Sequence, residues 1–288
     1  MDTVDRNIFP NSDPKVIDSF SAEWSIFPQK RLSKAMKEKI FGDYFGIFPW
    51  EKLSSESVGA DIGCGTGRWA SMVAPRVGSV VCVDPSRKAL DLARSNLRSH
   101  KNVDFLLASA NMLPFEDKSL DFAYSLGVLH HLPNPEAALT AISDKLKPGA
   151  PFLMYLYYAF DNRPAWYRRL WRVSDAFRRV ISRFPVQPKY ISSQVMAILV
   201  YWPLARLASF LDKRKMLPSS WPLSYYRDKE FYVIRTDALD RFGTPLEKRF
   251  TRKQIAAMMD RAGFVDVKFS ETAPHWIVVG TKKESRPT

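Results

Sequence analysis

From residue 58 onward short apolar runs alternate with stretches of helical period. Val58 to Ile62, Ser79 to Asp84, Val103 to Leu107, Leu120 to Ser125 and Pro151 to Tyr157 read as strands. Ser79 to Val83 is apolar almost throughout, as a parallel strand covered on both faces should be. Arg68 to Arg76, Arg87 to Ser99 and Pro135 to Leu146 read as the intervening helices, with Leu90, Ala93 and Leu97 on the inward face of the second. Thr251 caps a further helix through Ile255, Met258 and Met259 that Gly263 ends, and Phe264 to Phe269 and Trp276 to Thr281 follow as strands. Strand and helix alternating at these lengths predict an α/β, Rossmann-like, doubly wound sheet of seven strands.

Two segments fall outside that rhythm. Residues 1–57 carry spaced aromatics, of which Phe20, Trp24 and Phe27 share one helix face, and read as an N-terminal helical segment covering the core. Between the core at 58–159 and its closing elements at 251–282 lies an insertion, 160–250, expected to form a mostly helical cap. In it Trp166, Leu170, Val173, Phe177, Val180, Ile181 and Phe184 recur at spacings of three and four, opposite Arg168, Arg169, Arg172, Arg178, Arg179 and Arg183. The 16 uncharged residues Tyr190 to Ala205 are too few for a confident membrane span and are expected to be a buried cap helix, walling a substrate pocket or anchoring at an interface. Residues 283–288 read as a tail.

Composition sharpens this division. The net charge of +13 is uneven, because residues 1–159 balance 18 basic against 18 acidic side chains while 160–250 hold 18 against 8. A field of that kind draws anionic ligands or lipid headgroups, and Arg168 and Arg172 are candidate substrate contacts. The two cysteines, Cys64 and Cys82, suggest reduced packed thiols and no disulfide framework. Met1 to Arg6 holds no basic stretch before an apolar run, so the expectation is a cytoplasmic chain, with the inner membrane face as the alternative.

The candidate chemistry begins at Asp61-Ile62-Gly63-Cys64-Gly65-Thr66-Gly67, a turn between strand and helix where main-chain N–H groups can approach a ligand. A dinucleotide fingerprint would need glycine at position 68, where Arg68 stands. Asp84 ends the next strand about twenty residues on, placed to accept hydrogen bonds from ribose hydroxyls. The D-x-G-x-G-x-G loop, Asp84, the Ala108 to Phe115 loop and Leu129-His130-His131-Leu132 together resemble the class I S-adenosylmethionine-dependent methyltransferases, of the type 11 methyltransferase-like family. The resemblance covers 58–157 well and 251–282 moderately.

That likeness implies S-adenosyl-L-methionine as cofactor and S-adenosyl-L-homocysteine as product, with an antiparallel last strand. It places Asp61 at the cofactor amino group, Gly63, Cys64, Gly65 and Gly67 under its methionine end, and Asp84 and Pro85 at the ribose. Ser109, Ala110, Asn111 and Met112 would border adenine, although Ser109 stands where the family usually has an acid. Ser125 and Leu126 lie where cofactor and acceptor meet, and Trp24 is a candidate cover. His130 and His131 are candidate general bases, the alternative being a structural role. His275, Tyr225 and Tyr226 are candidate substrate contacts. No acid stands where metal-dependent relatives have one, so no metal is expected. The expected acceptor is a small, anionic molecule such as a sugar nucleotide or glycan precursor, the alternatives being a quinone or other lipid at a membrane surface, or a non-catalytic cofactor-binding or nucleic-acid-binding role. No nucleic-acid module is present to favour the last.

Overall fold

The computed structural model describes Phe9, residues 11–28 and residues 31–284. Parts of the expected N-terminal segment and tail lie outside the described residues.

Five parallel strands, β1 (Val58–Ile62), β2 (Ser79–Asp84), β3 (Val103–Leu107), β4 (Phe122–Leu126) and β5 (Pro151–Tyr155), are joined by β6 (Phe264–Phe269) and β7 (Ile277–Lys282) in the order β3-β2-β1-β4-β5-β7-β6. β7 runs antiparallel to both β5 and β6. The order reverses between β1 and β4, which opens a crevice beyond their carboxyl ends. This is the doubly wound seven-stranded sheet expected from the alternating runs.

Helices cover both faces. One receives α2 (Lys34–Phe45), the short α3 (Ala70–Val73) and α4 (Arg87–Asn96), burying Phe41, Phe45, Trp69, Leu90 and Leu97. The other receives α5 (Pro135–Lys145) and α10 (Arg252–Arg261) through Leu139, Ile142, Ile255 and Met258. In α10, Thr251 Oγ1 accepts from Gln254 N at 3.2 Å while Gln254 Oε1 accepts from Thr251 N at 2.9 Å, a reciprocal cap. Across the crevice lies α1 (Pro14–Ile26), N-capped by Asp13 and tied to the core where Ser21 and Ser86 share a hydrogen bond of 2.7 Å.

The insertion forms α6 (Ala165–Ile181), then α7 (Val186–Met196) running through a π turn at Ala197–Tyr201 into α8 (Trp202–Lys213), and finally α9 (Phe231–Gly243). α9 is the hub, since α1, α6, α7 and the π turn all pack on it. Lys229, just before α9, is buried and bonds Asp43 of α2 at 2.5 Å, fastening insertion to core.

Here the structure departs from the amphipathic reading. The apolar stripe of α6 faces outward, with Trp166, Leu170, Val173, Phe177, Val180 and Phe184 all exposed. A buried ion pair sets the inner face, because Arg178 bonds Asp175 at 2.7 Å and donates to the Thr244 carbonyl, just past the end of α9, at 3.0 Å. A cation there also meets the negative end of the α9 dipole. The run Tyr190 to Ala205 is not a buried wall either. Ser193, Ala197, Tyr201 and Ala205 face inward, while Ile191, Val195, Ile198 and Leu199 are exposed.

Candidate functional site

Two cavities meet at the crevice. The first lies over the glycine loop. Gly63 N and Cys64 N donate to the Val83 carbonyl at 2.8 and 3.0 Å, folding the loop onto the end of β2. Gly63 has φ +78, and a Cβ there would stand 2.4 Å from Val128, so only glycine fits. Gly65 N donates to Asp84 Oδ2 at 2.9 Å and Ser86 N to Asp84 Oδ1 at 2.8 Å. One carboxylate therefore sets the loop, the next helix start and the polar edge of a cavity of about 830 Å³. Gly63, Gly65, Asp84, Pro85, Ser109, Ala110 and Leu126 line it, with Phe20 and Trp24 of α1 closing it. A Cβ on Gly65 would meet the Trp24 indole at 3.2 Å, so that ring lies directly on the loop.

Other expected cofactor residues sit around this space without lining it. Ser125 is fully buried and donates to the Ile62 carbonyl at 2.9 Å, joining β4 to β1. Gly67 packs against Leu97, which a Cβ would meet at 2.5 Å, so it serves helix packing. Cys64 is buried in the loop. Asn111 accepts from Ser109 Oγ at 3.0 Å, and Met112, expected to pack on adenine, is exposed and does not line the cavity, whose wall here is Ala108 to Ala110.

Asp61 is 1% exposed and lines neither cavity; its carboxyl sits against the Tyr124 hydroxyl and the Ala70 N–H, and its Oδ2 makes no well-formed hydrogen bond among the described residues. Burial pushes the Asp61 carboxyl up to about 8. A buried acid with one oxygen left over, beside a glycine loop, fits a ligand ammonium, and together with the Asp84 edge and apolar walls it fits S-adenosylmethionine. Near neutral pH this carboxyl is protonated until a cation arrives, so cofactor binding should release close to one proton. Calorimetry in buffers of different ionisation enthalpy checks this, and an Asp61→Asn variant should remove the buffer dependence.

The second cavity, of about 1190 Å³, opens beyond β4 and β5 and shares Phe20, Trp24, Leu126 and Gly127 with the first. Nearly half of its lining residues are aromatic, including Tyr44, Trp69, Tyr155, Tyr157, Phe160, Tyr167, Trp221, Tyr225 and Tyr226, with Arg68 and Arg163 among the charged ones. α9 supplies the polar side. Tyr226 OH donates to Asp237 Oδ2 at 2.9 Å, and Asp237 Oδ1 has no hydrogen-bond partner among the described residues. Burial and the neighbouring Asp240 raise Asp237 to about 6. Asp240 accepts from the Tyr157 hydroxyl, and burial raises it too. The Arg241 guanidinium stands 5.7 Å from the Tyr157 ring and makes no hydrogen bond among the described residues. Glu23 also lines the cavity, and burial, with Asp240 and Asp237 nearby, raises its carboxyl well above the usual range.

Neither of the expected catalytic histidines lines the second cavity. His130 is fully buried, stacked 3.9 Å from the Tyr157 ring, lines neither cavity, and is held neutral by burial. His131 lines the cofactor cavity, and its Nδ1–H donates to the Leu246 carbonyl at 2.7 Å, which marks a loop tie. Arg168 and Arg172 point to solvent on the outer flank of α6 and reach neither cavity, which corrects their assignment as substrate contacts. Tyr225, Tyr226 and His275 line the second cavity. Asp237, Asp240 and Arg241 were missed by sequence reasoning, although three charges at i, i+3 and i+4 beside Val233, Ile234, Ala238 and Phe242 mark a polar patch on a buried helix.

Comparison with known proteins agrees with this geometry. Residues 60–154 match the family described as methyltransferase domain. O-methyltransferase rstn1 of Aspergillus nomiae is 37% identical over 94 residues, 31% of this chain and 42% of that protein. A demethylmenaquinone methyltransferase of Staphylococcus aureus is 32% identical over 110 residues, 35% of this chain and 46% of that one. The matched stretches span less than half the length of these relatives. A chain of the complex between the Haloferax volcanii Trm112 methyltransferase activator and a methyltransferase shares the fold, with TM-score 0.50, 14% identity, and coverage of 92% of this chain and 98% of that one. The chain carries a class I S-adenosylmethionine-dependent methyltransferase domain.

Proposed function

We propose that the protein is a methyltransferase that transfers a methyl group to a hydroxyl on a flat aromatic ring of the phenol or hydroquinone kind. The observation that carries this reading is the ring-walled cavity that shares Phe20, Trp24, Leu126 and Gly127 with the cofactor space and holds a half-free carboxylate, Asp237. Offset stacking on Tyr and Trp faces favours a planar acceptor and excludes water. The relative named for demethylmenaquinone supports a ring acceptor of this class.

Bound S-adenosylmethionine supplies an activated methyl group on its sulfonium. Asp237 Oδ1 would take the acceptor hydroxyl proton as the O–CH3 bond forms and the S–CH3 bond breaks, with the thioether of S-adenosylhomocysteine as leaving group, while Tyr226 holds the other carboxylate oxygen. Arg241 stabilises the developing oxyanion. Asp61 would hold the ammonium of the cofactor and Asp84 its ribose, fixing the donor while the rings fix the acceptor.

The free guanidinium of Arg241 supports a second reading, an anionic acceptor such as a nucleotide-linked sugar. Labelled methyl transfer to a panel of hydroquinones, phenols and sugar nucleotides separates the two. Turnover confined to ring acceptors is the expected result; transfer to sugar nucleotides, with a KM that rises with salt and no transfer to ring acceptors, would replace the first reading with the second.

A further inference from the structure

The outer surface of the insertion is more apolar than a solvated face needs to be. Along α6 and just beyond it the exposed stripe runs from Trp166 to Phe184 with Phe177 61% exposed, and the next helix exposes a second apolar set, Ile191, Val195, Ile198 and Leu199, with Leu199 in its π turn 69% exposed. Helical spacing sets Arg169, Arg172, Arg179 and Arg183 along one edge of the α6 stripe. Lys213, Arg214 and Lys215 cluster at the end of α8. Residues 165–216 hold 11 basic and only 2 acidic side chains, and of the acids Asp175 is buried in its arginine pair and Asp212 bonds Arg227 at 3.0 Å.

We propose that this face is a docking surface for an anionic lipid bilayer, with α6 and the α7–α8 helix lying in the plane of the interface. Apolar side chains flanked by arginines match acyl chains below a negative headgroup layer. Self-association through the face would set like charges against one another across a two-fold axis. The helix Val186–Lys213 is long and apolar enough to cross a membrane by length and composition. Its inner face nevertheless belongs to the protein. Gln194 Oε1 accepts from Arg235 at 2.5 Å, Tyr190 OH from the same guanidinium at 2.7 Å, and Arg206 donates to the carbonyls of Tyr226 and Arg227 at 3.2 and 3.1 Å. These groups would be stripped of partners in hydrocarbon, so the helix lies on the bilayer. The same segment reaches the acceptor cavity from its other side, through Tyr167 of α6 and Trp221 beyond α8.

Co-sedimentation of the full chain with phosphatidylcholine vesicles, with and without phosphatidylglycerol, tests the proposal. The expected result is partition onto the anionic vesicles that weakens with salt. Phe177→Asp with Leu199→Asp should reduce it at least about tenfold, and Arg169→Glu with Arg172→Glu by a similar factor. Cofactor binding, measured on the same variants, should be unchanged, since these side chains reach neither cavity. Equal partition onto neutral and anionic vesicles, no partition at all, or unaltered partition of the aspartate variant would overturn it. So would self-association that the aspartate variant abolishes without any vesicle binding, or retention in cell membranes through an alkaline wash, which would mean a spanning helix.

Discussion

An Asp84→Ala variant should bind S-adenosylmethionine roughly a thousandfold more weakly than the intact protein, with its fold retained by circular dichroism. Each oxygen of this carboxylate accepts a backbone N–H, at 2.9 Å from Gly65 and 2.8 Å from Ser86, and the same group edges the cofactor cavity. Hydrogen bonds to a charged group contribute about 1.5–3 kcal/mol each. Losing the hold on the loop together with the ribose contact therefore costs on the order of 4 kcal/mol, the stated thousandfold. Burial holds Asp84 up at about 6, against the pull of the two N–H donors. Affinity should accordingly fall as the pH drops through that value and the carboxylate takes up a proton. Titration calorimetry across the acid range measures both effects, and affinity within tenfold of the intact protein in the alanine variant would remove Asp84 from the cofactor site.

Replacing Asp237 by asparagine should lower the turnover of a hydroxyl acceptor by about 10²- to 10⁴-fold, the usual contribution of a positioned base, with little change in cofactor affinity. The intact enzyme should gain activity as the pH rises through about 6, because burial and then Asp240 hold the Asp237 carboxyl there, and only the ionised form accepts a proton. Arg68 and the Tyr226 hydroxyl pull the other way and keep the value from climbing further. The asparagine variant should lose that acid limb. A pH–rate profile for both proteins decides it; an unchanged limb in the variant would assign the titration to another group, and an unchanged rate would leave positioning alone to account for catalysis.

Most of the sheet was legible because its strands are short apolar runs between glycine and proline punctuation, and the glycine-loop edge of the first cavity was legible because Gly63, Gly65 and Asp84 lie at two consecutive strand ends. The acceptor half was not. Glu23, Tyr157, Asp237 and His275 come from four distant stretches, and only packing brings them to one cavity. The histidine pair drew attention as the residue type suited to a base, yet folding buries one ring under Tyr157 and ties the other to Leu246. The insertion misled for a different reason. Amphipathic spacing tells which residues share a face and not which face turns inward, and on α6 the Asp175–Arg178 pair took the inner side from the apolar stripe.

The insertion enters after β5 and leaves before α10, while β5 pairs directly with β7, so the sheet closes without it. One wall of the second cavity, with Asp237, Asp240 and Arg241, is thus written in a passage of the gene that the sheet does not need, while Trp24, Tyr44, Tyr157 and His275 on the other wall come from outside it. Drift confined to the stretch from 160 to 250 would redraw that wall and leave the glycine loop and Asp84 as they are. Likeness along β1 to β5 then reports descent and donor, and what the second cavity takes must be read from both of its walls.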